Sequence, residues 1–354
     1  MHDPVNPQHP NPTTRPDTGG RRALVTGGAG FIGSHLVDHL LARGDEVTVI
    51  DNLSTGNAHN LPTHERLTTV EADVSDGLAA LTDEGVAFDE IYHLAAAVGV
   101  QLVMDDPKAA IRTNIVGTID LLDFARNQTT PARTLIASSS EVYGKGSRSP
   151  FAEEDDVVYG PTTIARWSYG MSKALDEHLA LAHSRASGLP VVVTRFFNTV
   201  GPRQVGSYGM VLPRFVAAAL AGEPLVIHDT GEQTRCFCDV RDVMEVLPRL
   251  LAAPACFGRV FNVGSDHEIT ILQLADAVIS TLGSSSKTRF IPYQQAFPEG
   301  FEDLPRRRPD LSRVREAVGF EPKITLEQTI LDVAAFIRSG SDATARPARP
   351  EVRT

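Results

Sequence analysis

The chain carries two hydrophobic rhythms. Short apolar runs, "RALVT", "EVTVID", "EIYHLA", "RTLIASSS" and "PVVVTRFF", alternate with longer stretches whose apolar residues recur at helical spacing, as in "FIGSHLVDHLLARG" and "AAIRTNIVGTIDLLDFAR". A run that is apolar at consecutive positions describes a strand covered on both faces, and an amphipathic helix between two such strands supplies the cover. The pattern predicts an α/β fold built on a doubly wound parallel sheet. It fades at both ends. Residues 1–20, "MHDPVNPQHPNPTTRPDTGG", are rich in Pro, Asn and Thr without an apolar stretch, and residues 339–354 look similar. Both are expected to be disordered tails, and the first is not a signal peptide. No run is long and apolar enough for a membrane helix, so no membrane partner is expected.

Composition narrows the partners. With 354 residues, 42% of them hydrophobic, the chain can build a large core and two lobes. Its formal net charge of −11, without a long basic block, argues against nucleic acid. Three cysteines, Cys236, Cys238 and Cys256, are an odd number in a long chain and fit a reducing, cytoplasmic setting. Cys236 and Cys238 are spaced to share one side of a strand. No second Cys/His pair matches them, so no metal site is expected.

The junction of the first strand and helix, "TGGAGFIG", holds the strongest local signal. Gly27, Gly30 and Gly33 give a G-x-x-G-x-x-G spacing, and Gly28, Gly30 and Gly33 satisfy G-x-G-x-x-G. Such glycines let backbone approach a pyrophosphate and turn a helix N-terminus toward its charge. A tight structural turn is the plain alternative. Asp51, closing the second strand, stands where a carboxylate accepts hydrogen bonds from an adenosine ribose and would repel a 2′-phosphate, which favours NAD over NADP. Asp73, in "EADVSD", is placed either to reach the adenine or to serve as a surface turn acid.

A second constellation is "YGMSK", where Tyr169 and Lys173 stand one helical turn apart on one face. A cation beside the phenol, helped by the positive nicotinamide ring, is expected to lower its pKa and make it a usable base. An ordinary amphipathic helix explains the same spacing. Ser138, Ser139 and Ser140 in "SSSEVYG" add hydroxyl donors at a strand end.

Together these segments resemble the extended short-chain dehydrogenase/reductases, a family of nucleotide-sugar epimerases, dehydratases and decarboxylases. The resemblance covers residues 21–338 and is carried by "TGGAGFIG", "HLAAAVGV", "TNIVGT", "SSSEVYG", "YGMSK", "RFFNTVGPRQ" and "GEQTRCFCDVRD". It implies a Rossmann-type sheet with a smaller α/β substrate-binding lobe. The first lobe would comprise residues 21–197, completed by 236–263, and the second 198–235 and 264–338. It also implies a tightly held NAD, contacted by Gly27, Gly30, Phe31, Ile32, Gly33, Asp51, Asn52, Asp73, Val74, Leu94, Ala95, Ala96 and Asn114. Tyr169 would be the base, Lys173 would bind the nicotinamide ribose and Ser139 the sugar. Ser140, Asn198, Arg203, Arg235 and Arg307 would grip a UDP-sugar. Dimerisation would use the helix around 108–126 and the one carrying Tyr169.

Glu141 separates the chemistries within that family. Dehydratases carry an Asp-Glu pair at this stretch, but here Ser140 takes the place of the Asp, so the acid needed for water loss is missing. Simple 4-epimerases usually have a small or non-ionisable residue where this chain has Glu141. The combination "SSEVYG" is similar to the UDP-glucuronate decarboxylases, as is "GFEDLPRRRPDLSRVREAVGFEPKITLEQTI", in which Arg307 falls on that group's arginine. Arg308 stands where lysine is usual. "GPTTIARW" and "RWSYGMSK" add further likeness.

In that chemistry Tyr169 takes the C4 hydroxyl proton, carbon dioxide leaves from the position β to the new ketone, and Arg307 holds the departing carboxylate. Glu141, in a partly dry pocket, is expected to have a raised pKa and to manage the proton or water near C5. The products would be UDP-xylose or a UDP-4-keto-pentose. Glu141 as a strand-end salt bridge and Arg307 as a pyrophosphate ligand stand beside these roles. A UDP-sugar 4-epimerase and a non-catalytic NAD-binding sensor remain as alternative functions.

Overall fold

The computed structural model describes residues 20–97, 106–206, 210–296, 304 and 306–340. Its centre is a seven-stranded sheet made of β1 (Arg22–Thr26), β2 (Glu46–Asp51), β3 (Leu67–Glu71), β4 (Glu90–His93), β5 (Arg133–Ser139), β6 (Val191–Phe196) and a late strand, Arg259–Val263. All pairs are parallel, in the order Arg259–Val263, β6, β5, β4, β1, β2, β3. The chain therefore winds outward from β1 in one direction, then returns to β4 and winds in the other. β1 and β4 are neighbours at that reversal, the point at which a doubly wound sheet leaves a crevice beyond the C-terminal ends of its strands.

Period-two alternation decides what covers each face. Ala23 and Val25 of β1 point into one buried cluster and Leu24 into another. The first cluster takes Leu36, Val37 and Leu40 from α1 (Phe31–Arg43). The second takes Leu78 and Leu81 from α2 (Val74–Asp83), Leu121 and Leu122 from α3 (Pro107–Arg126), and Ala180 from α4 (Ser168–Ser187). Each helix thus turns its apolar stripe to the sheet. β3 is the strand that the hydrophobic pattern does not announce. It lies at the sheet edge, and its threonines face water, so it has no continuous apolar run to show.

Beyond β6 the chain forms β7 (Thr199–Val200), α5 (Val211–Ala221), β8 (Leu225–His228), β9 (Thr234–Cys236), β10 (Cys238–Asp239) and α6 (Val240–Ala252), which packs back onto the first cluster through Val243 and Leu247. β11 is the sheet strand Arg259–Val263. After it come β12 (Glu268–Thr270), α7 (Ile271–Leu282), β13 (Thr288–Ile291), β14 (Arg306–Arg307), α8 (Ser312–Val318) and α9 (Leu326–Arg338). A separate core joins Leu212 and Phe215 of α5, Leu274 and Val278 of α7, and Ile330 and Val333 of α9. β9 lies between β12, antiparallel, and β14, parallel. α9 ends at Arg338, with Ser339 at its C-cap. The tail expectations for residues 1–19 and 341–354, and the "VGV" of "HLAAAVGV" at 98–100, fall outside the described residues. None of the described helices is long and apolar enough to cross a membrane.

Candidate active site

The crevice begins at Gly27. Its φ of +72° lies in the left-handed region, and a Cβ there would stand 2.7 Å from the Ala95 backbone nitrogen. A Cβ on Gly33 would overlap the Gly27 carbonyl, so the two glycines together let α1 start flush against the end of β1. Gly30 is the N-cap, without a side-chain cap and with no acidic residue in the first turn. The helix thus presents its first N–H groups and the positive end of its dipole to whatever enters.

Asp51 closes β2 beside this turn. Its Oδ2 accepts from the Ala29 N–H at 2.9 Å and its Oδ1 from the Leu53 N–H at 2.8 Å. A carboxylate offers about four acceptor positions, so capacity remains for hydroxyl donors. Next to it Asn52 donates to Asp73 Oδ1 at 2.6 Å, which joins the ends of β2 and β3. Val74 opens α2 directly after Asp73.

The opposite lip is tied by a buried polar chain. Thr26 Oγ1 meets His93 Nδ1 at 2.8 Å, and His93 Nε2 meets Thr118 Oγ1 at 3.1 Å. Burial, aided by the charge of Lys173, lowers His93 to about 3, so the imidazole is neutral and works as a hydrogen-bond bridge. Leu94 and Ala95 follow β4 and donate their N–H groups to Thr26. Beyond Ala96, the Ala97 N–H reaches Asn114 Oδ1 at 2.9 Å, and Asn114 in turn donates to Ser172 Oγ at 3.0 Å. One side chain on α3 therefore fixes both the loop after β4 and the helix carrying Tyr169.

At the end of β5 the chain makes a tight turn, Ser140–Tyr143, with Ser139 Oγ accepting from the Glu141 N–H at 3.2 Å. Val142 and Tyr143 are fully buried and pack with Phe151 and Phe197, which leaves Glu141 facing the other way. Two arginines meet it there. Arg307 Nη1 lies 2.7 Å from Oε1 and Arg166 Nη1 lies 2.6 Å from Oε2. Arg307 is held in reach by backbone: the Phe151 N–H donates to the Arg308 carbonyl at 2.8 Å, and Phe151 stacks on Tyr143 at 4.6 Å.

This arrangement reverses one expectation. Burial acts to raise the Glu141 pKa, but the Arg307 and Arg166 guanidiniums overcome it and bring the carboxyl down to about 2. Two full charges at hydrogen-bonding distance outweigh the desolvation that a lone pocket acid would feel. At Tyr169 the lysine alone does not lower the phenol. Burial pushes its phenol above the ordinary value, the charges of Glu141 and Asp176 add to this, and a hydrogen bond with Ser139 only partly opposes them. Lys173 does not lower it, because its ammonium pairs instead with Asp176 Oδ2 at 2.7 Å. A carboxylate is a stronger partner for a buried cation than a neutral phenol.

The remaining expected residues separate. Arg235, on β9, is in register with Arg307 on β14, so their side chains leave neighbouring strands on one face. Asn198 donates to the Cys236 carbonyl at 3.1 Å beside the same strand. Ser140 is buried in the turn. Arg203 is not brought to this cluster; it pairs with Asp38 of α1 at 2.7 Å. Arg166 and Asp176 are the residues that sequence spacing does not reveal. Arg166 had a faint signal in "RWSYGMSK", three positions before Tyr169, whereas Asp176 reads as an ordinary helix acid.

Comparison with known proteins follows the same lines. Residues 23–264 match the model of the NAD dependent epimerase/dehydratase family. The chain belongs to the NAD-dependent epimerase/dehydratase family. It is 38% identical over 325 residues to the UDP-N-acetyl-alpha-D-glucosaminuronate decarboxylase of Bacillus cytotoxicus, a match covering 90% of this chain and 98% of that protein. It is also 38% identical over 307 residues to UDP-glucuronic acid decarboxylase 4 of Arabidopsis thaliana, covering 87% of this chain and 66% of that one. The solved UDP-glucuronic acid 4-epimerase of Bacillus cereus, in complex with UDP-glucuronic acid and NAD, superposes with a TM-score of 0.78 at 26% identity, over 90% of this chain and 99% of that one. The residues of this family member fit its cofactor: bare glycine backbone and an uncapped helix end suit a pyrophosphate, and Asp51 keeps acceptor capacity for a ribose.

Proposed function

We propose that the protein is an NAD-dependent decarboxylase of UDP-glucuronate, producing UDP-xylose, UDP-4-keto-pentose or both through a UDP-4-keto intermediate. The observation that carries this reading is the Arg166–Glu141–Arg307 group at the mouth of β5. Two guanidiniums around one internal carboxylate leave a net positive group, which suits a sugar bearing a carboxylate of its own.

Gly27, Gly30, Phe31, Ile32 and Gly33 would hold the pyrophosphate of NAD, Asp51 and Asn52 its adenosine ribose, and Lys173 the second ribose. Bound there, NAD supplies a hydride acceptor and donor for C4 of the sugar. Tyr169 takes the proton of the C4 hydroxyl, with Ser139 hydrogen-bonded to the same oxygen. Once C4 is a ketone, the C5–C6 bond breaks, carbon dioxide departs, and the electron pair moves into an enolate whose oxyanion Tyr169 and Ser139 stabilise. Arg307 and Arg166 orient the carboxylate before it leaves. Glu141, ionised, keeps both arginines aimed and orders the water that protonates C5. Asn198 and Arg235 grip the nucleotide diphosphate.

The lobe holding NAD comprises residues 21–197 with 236–263, and the sugar-nucleotide lobe 198–235 with 264–338. A homodimer forms through α3 and α4, on which Ile111, Val116, Ile119 and Leu175 stand exposed. A cytoplasmic setting fits the three buried, free cysteines.

The test is incubation with NAD and UDP-glucuronate, and in parallel with UDP-N-acetylglucosaminuronate, followed by mass spectrometry. Loss of carbon dioxide from UDP-glucuronate is the expected result. A new isomer of unchanged mass would make the protein a 4-epimerase, and loss of carbon dioxide from the N-acetylated sugar alone would move the substrate to that one. No conversion of either would favour a non-catalytic NAD-binding role.

A further inference from the structure

Lys173 and Asp176 form an ion pair sealed from solvent. Nζ lies 2.7 Å from Oδ2, and the two residues are 2% and 0% exposed. Among the described residues Asp176 is the hydrogen-bond partner of the ammonium. The i, i+3 spacing puts both on one helix face, and Tyr169 extends that face by a turn toward the crevice. An ammonium in the interior keeps its charge chiefly through a counter-charge, and here the counter-charge comes from one turn deeper, not from the phenol.

We infer that Asp176 is a positioning residue that, beyond the direct effect of its own charge, acts on Tyr169 through Lys173, pinning the ammonium and offsetting its charge so that the phenol stays protonated until oxidised cofactor enters. The inference rests on the roles proposed above for Tyr169 and Lys173. An unopposed ammonium one turn from a phenol stabilises the phenolate, and a carboxylate bound to that ammonium cancels most of its field. The bound dinucleotide brings ribose hydroxyls for the lysine's two remaining N–H donors and a positive ring of its own, so base activation becomes tied to cofactor loading.

Other charges around the pair are themselves matched. On α4, Glu177 takes a two-point ion pair with Arg195 of β6, with N···O distances of 2.9 and 2.7 Å. His93 of β4 is held neutral by burial and by Lys173. Glu141 of the turn after β5 is bracketed by Arg166 and Arg307. From α3 the neighbours are the uncharged Asn114 and Thr118. Asp176 itself is raised by burial, an effect that Lys173 and Thr118 only partly oppose.

The experiment follows tyrosinate absorbance against pH in the cofactor-free protein, using each variant minus its Y169F counterpart to isolate the one phenol. D176N is expected to raise the tyrosinate fraction of Tyr169 at least about tenfold at any pH below its midpoint. In a K173M background the same substitution is expected to give less than half of that shift. An unchanged titration in D176N overturns the inference, and so does an equal shift with K173M, since Asp176 would then act on the phenol by its own charge alone and not through the lysine. If D176N does not fold by circular dichroism, D176S is put to the same titration and decides by the same criteria. NAD binding by the wild-type chain is measured calorimetrically alongside. Its absence undoes the Tyr169–Lys173 assignment without touching the titration, and carbon dioxide release separately decides the decarboxylase reading.

Discussion

Arg307 reaches across from β14 to place Nη1 2.7 Å from Oε1 of Glu141, and so joins two segments that no local pattern relates. The contact gives a late arginine and a strand-end acid one shared position in the crevice. It also leaves the acid ionised, which changes what Glu141 can do. A residue held to about 2 is an anchor for cations at neutral pH and not a standing proton donor.

Replacement of the pair tests its part in the chemistry. R307A and E141Q are expected to bind NAD with wild-type affinity and to lose carbon dioxide release by about 100-fold or more, the scale for removing a preorganised electrostatic contact. Headspace carbon dioxide and calorimetric NAD titration give the two readouts. Wild-type decarboxylation in both variants would remove these residues from the mechanism.

Y169F keeps the ring and its packing but has no proton to exchange. Turnover is expected to fall about 1,000-fold while NAD affinity changes by no more than a few fold. Ordinary turnover in this variant would mean that another group is the base.

Arg166 is expected to act on the sugar's carboxylate. R166A should raise KM for UDP-glucuronate about tenfold or more, the loss of one charge-assisted contact, with NAD affinity unchanged. R166K should recover little of this, because an ammonium lacks the planar fork that meets a carboxylate at two points. Equal effects on sugar and NAD binding would point instead to a general loss of structure.

Glu141 also carries a pH signature. Its folded pKa of about 2 lies below the ordinary 4.5, so the stabilisation it gives is full above pH 4.5 and is lost as pH falls toward 2. The size is roughly 3 kcal/mol. Chemical denaturation of wild type and E141Q should therefore differ most near neutral pH and converge in strong acid. A constant difference across that range would contradict the linkage.

The exposed apolar positions on α3 offer a last test. I119E places a charge on the helix that also exposes Ile111 and Val116. Multi-angle light scattering should show a dimer for wild type and a monomer for the variant. A wild-type monomer would remove the proposed interface.

Local rules carried much of this molecule. The strands "RALVT" and "EVTVID" match β1 and β2 residue for residue, because a strand buried on both faces must be apolar at consecutive positions. The turn at Gly27–Gly33 was legible for a similar reason: only glycine tolerates the backbone approach there. β3 escaped because this edge strand exposes side chains on both faces, Thr68 on one and Thr69 on the other, and so is under no such constraint.

By itself the sequence determined the alternation of the apolar strands with their helices, the glycine turn at the first helix, and the placing of Ser139 and Glu141 at the end of β5 and of Tyr169 and Lys173 in the first two turns of α4. Each follows from interactions within a few residues, which the chain must satisfy wherever it lies. Only the tertiary structure decided which charges meet. It brought Arg166 and Arg307 onto Glu141, paired Lys173 with Asp176, and carried Arg203 off to Asp38. The protonation of these groups depends on distance and on exclusion of water, and both are set by packing between segments far apart in the chain.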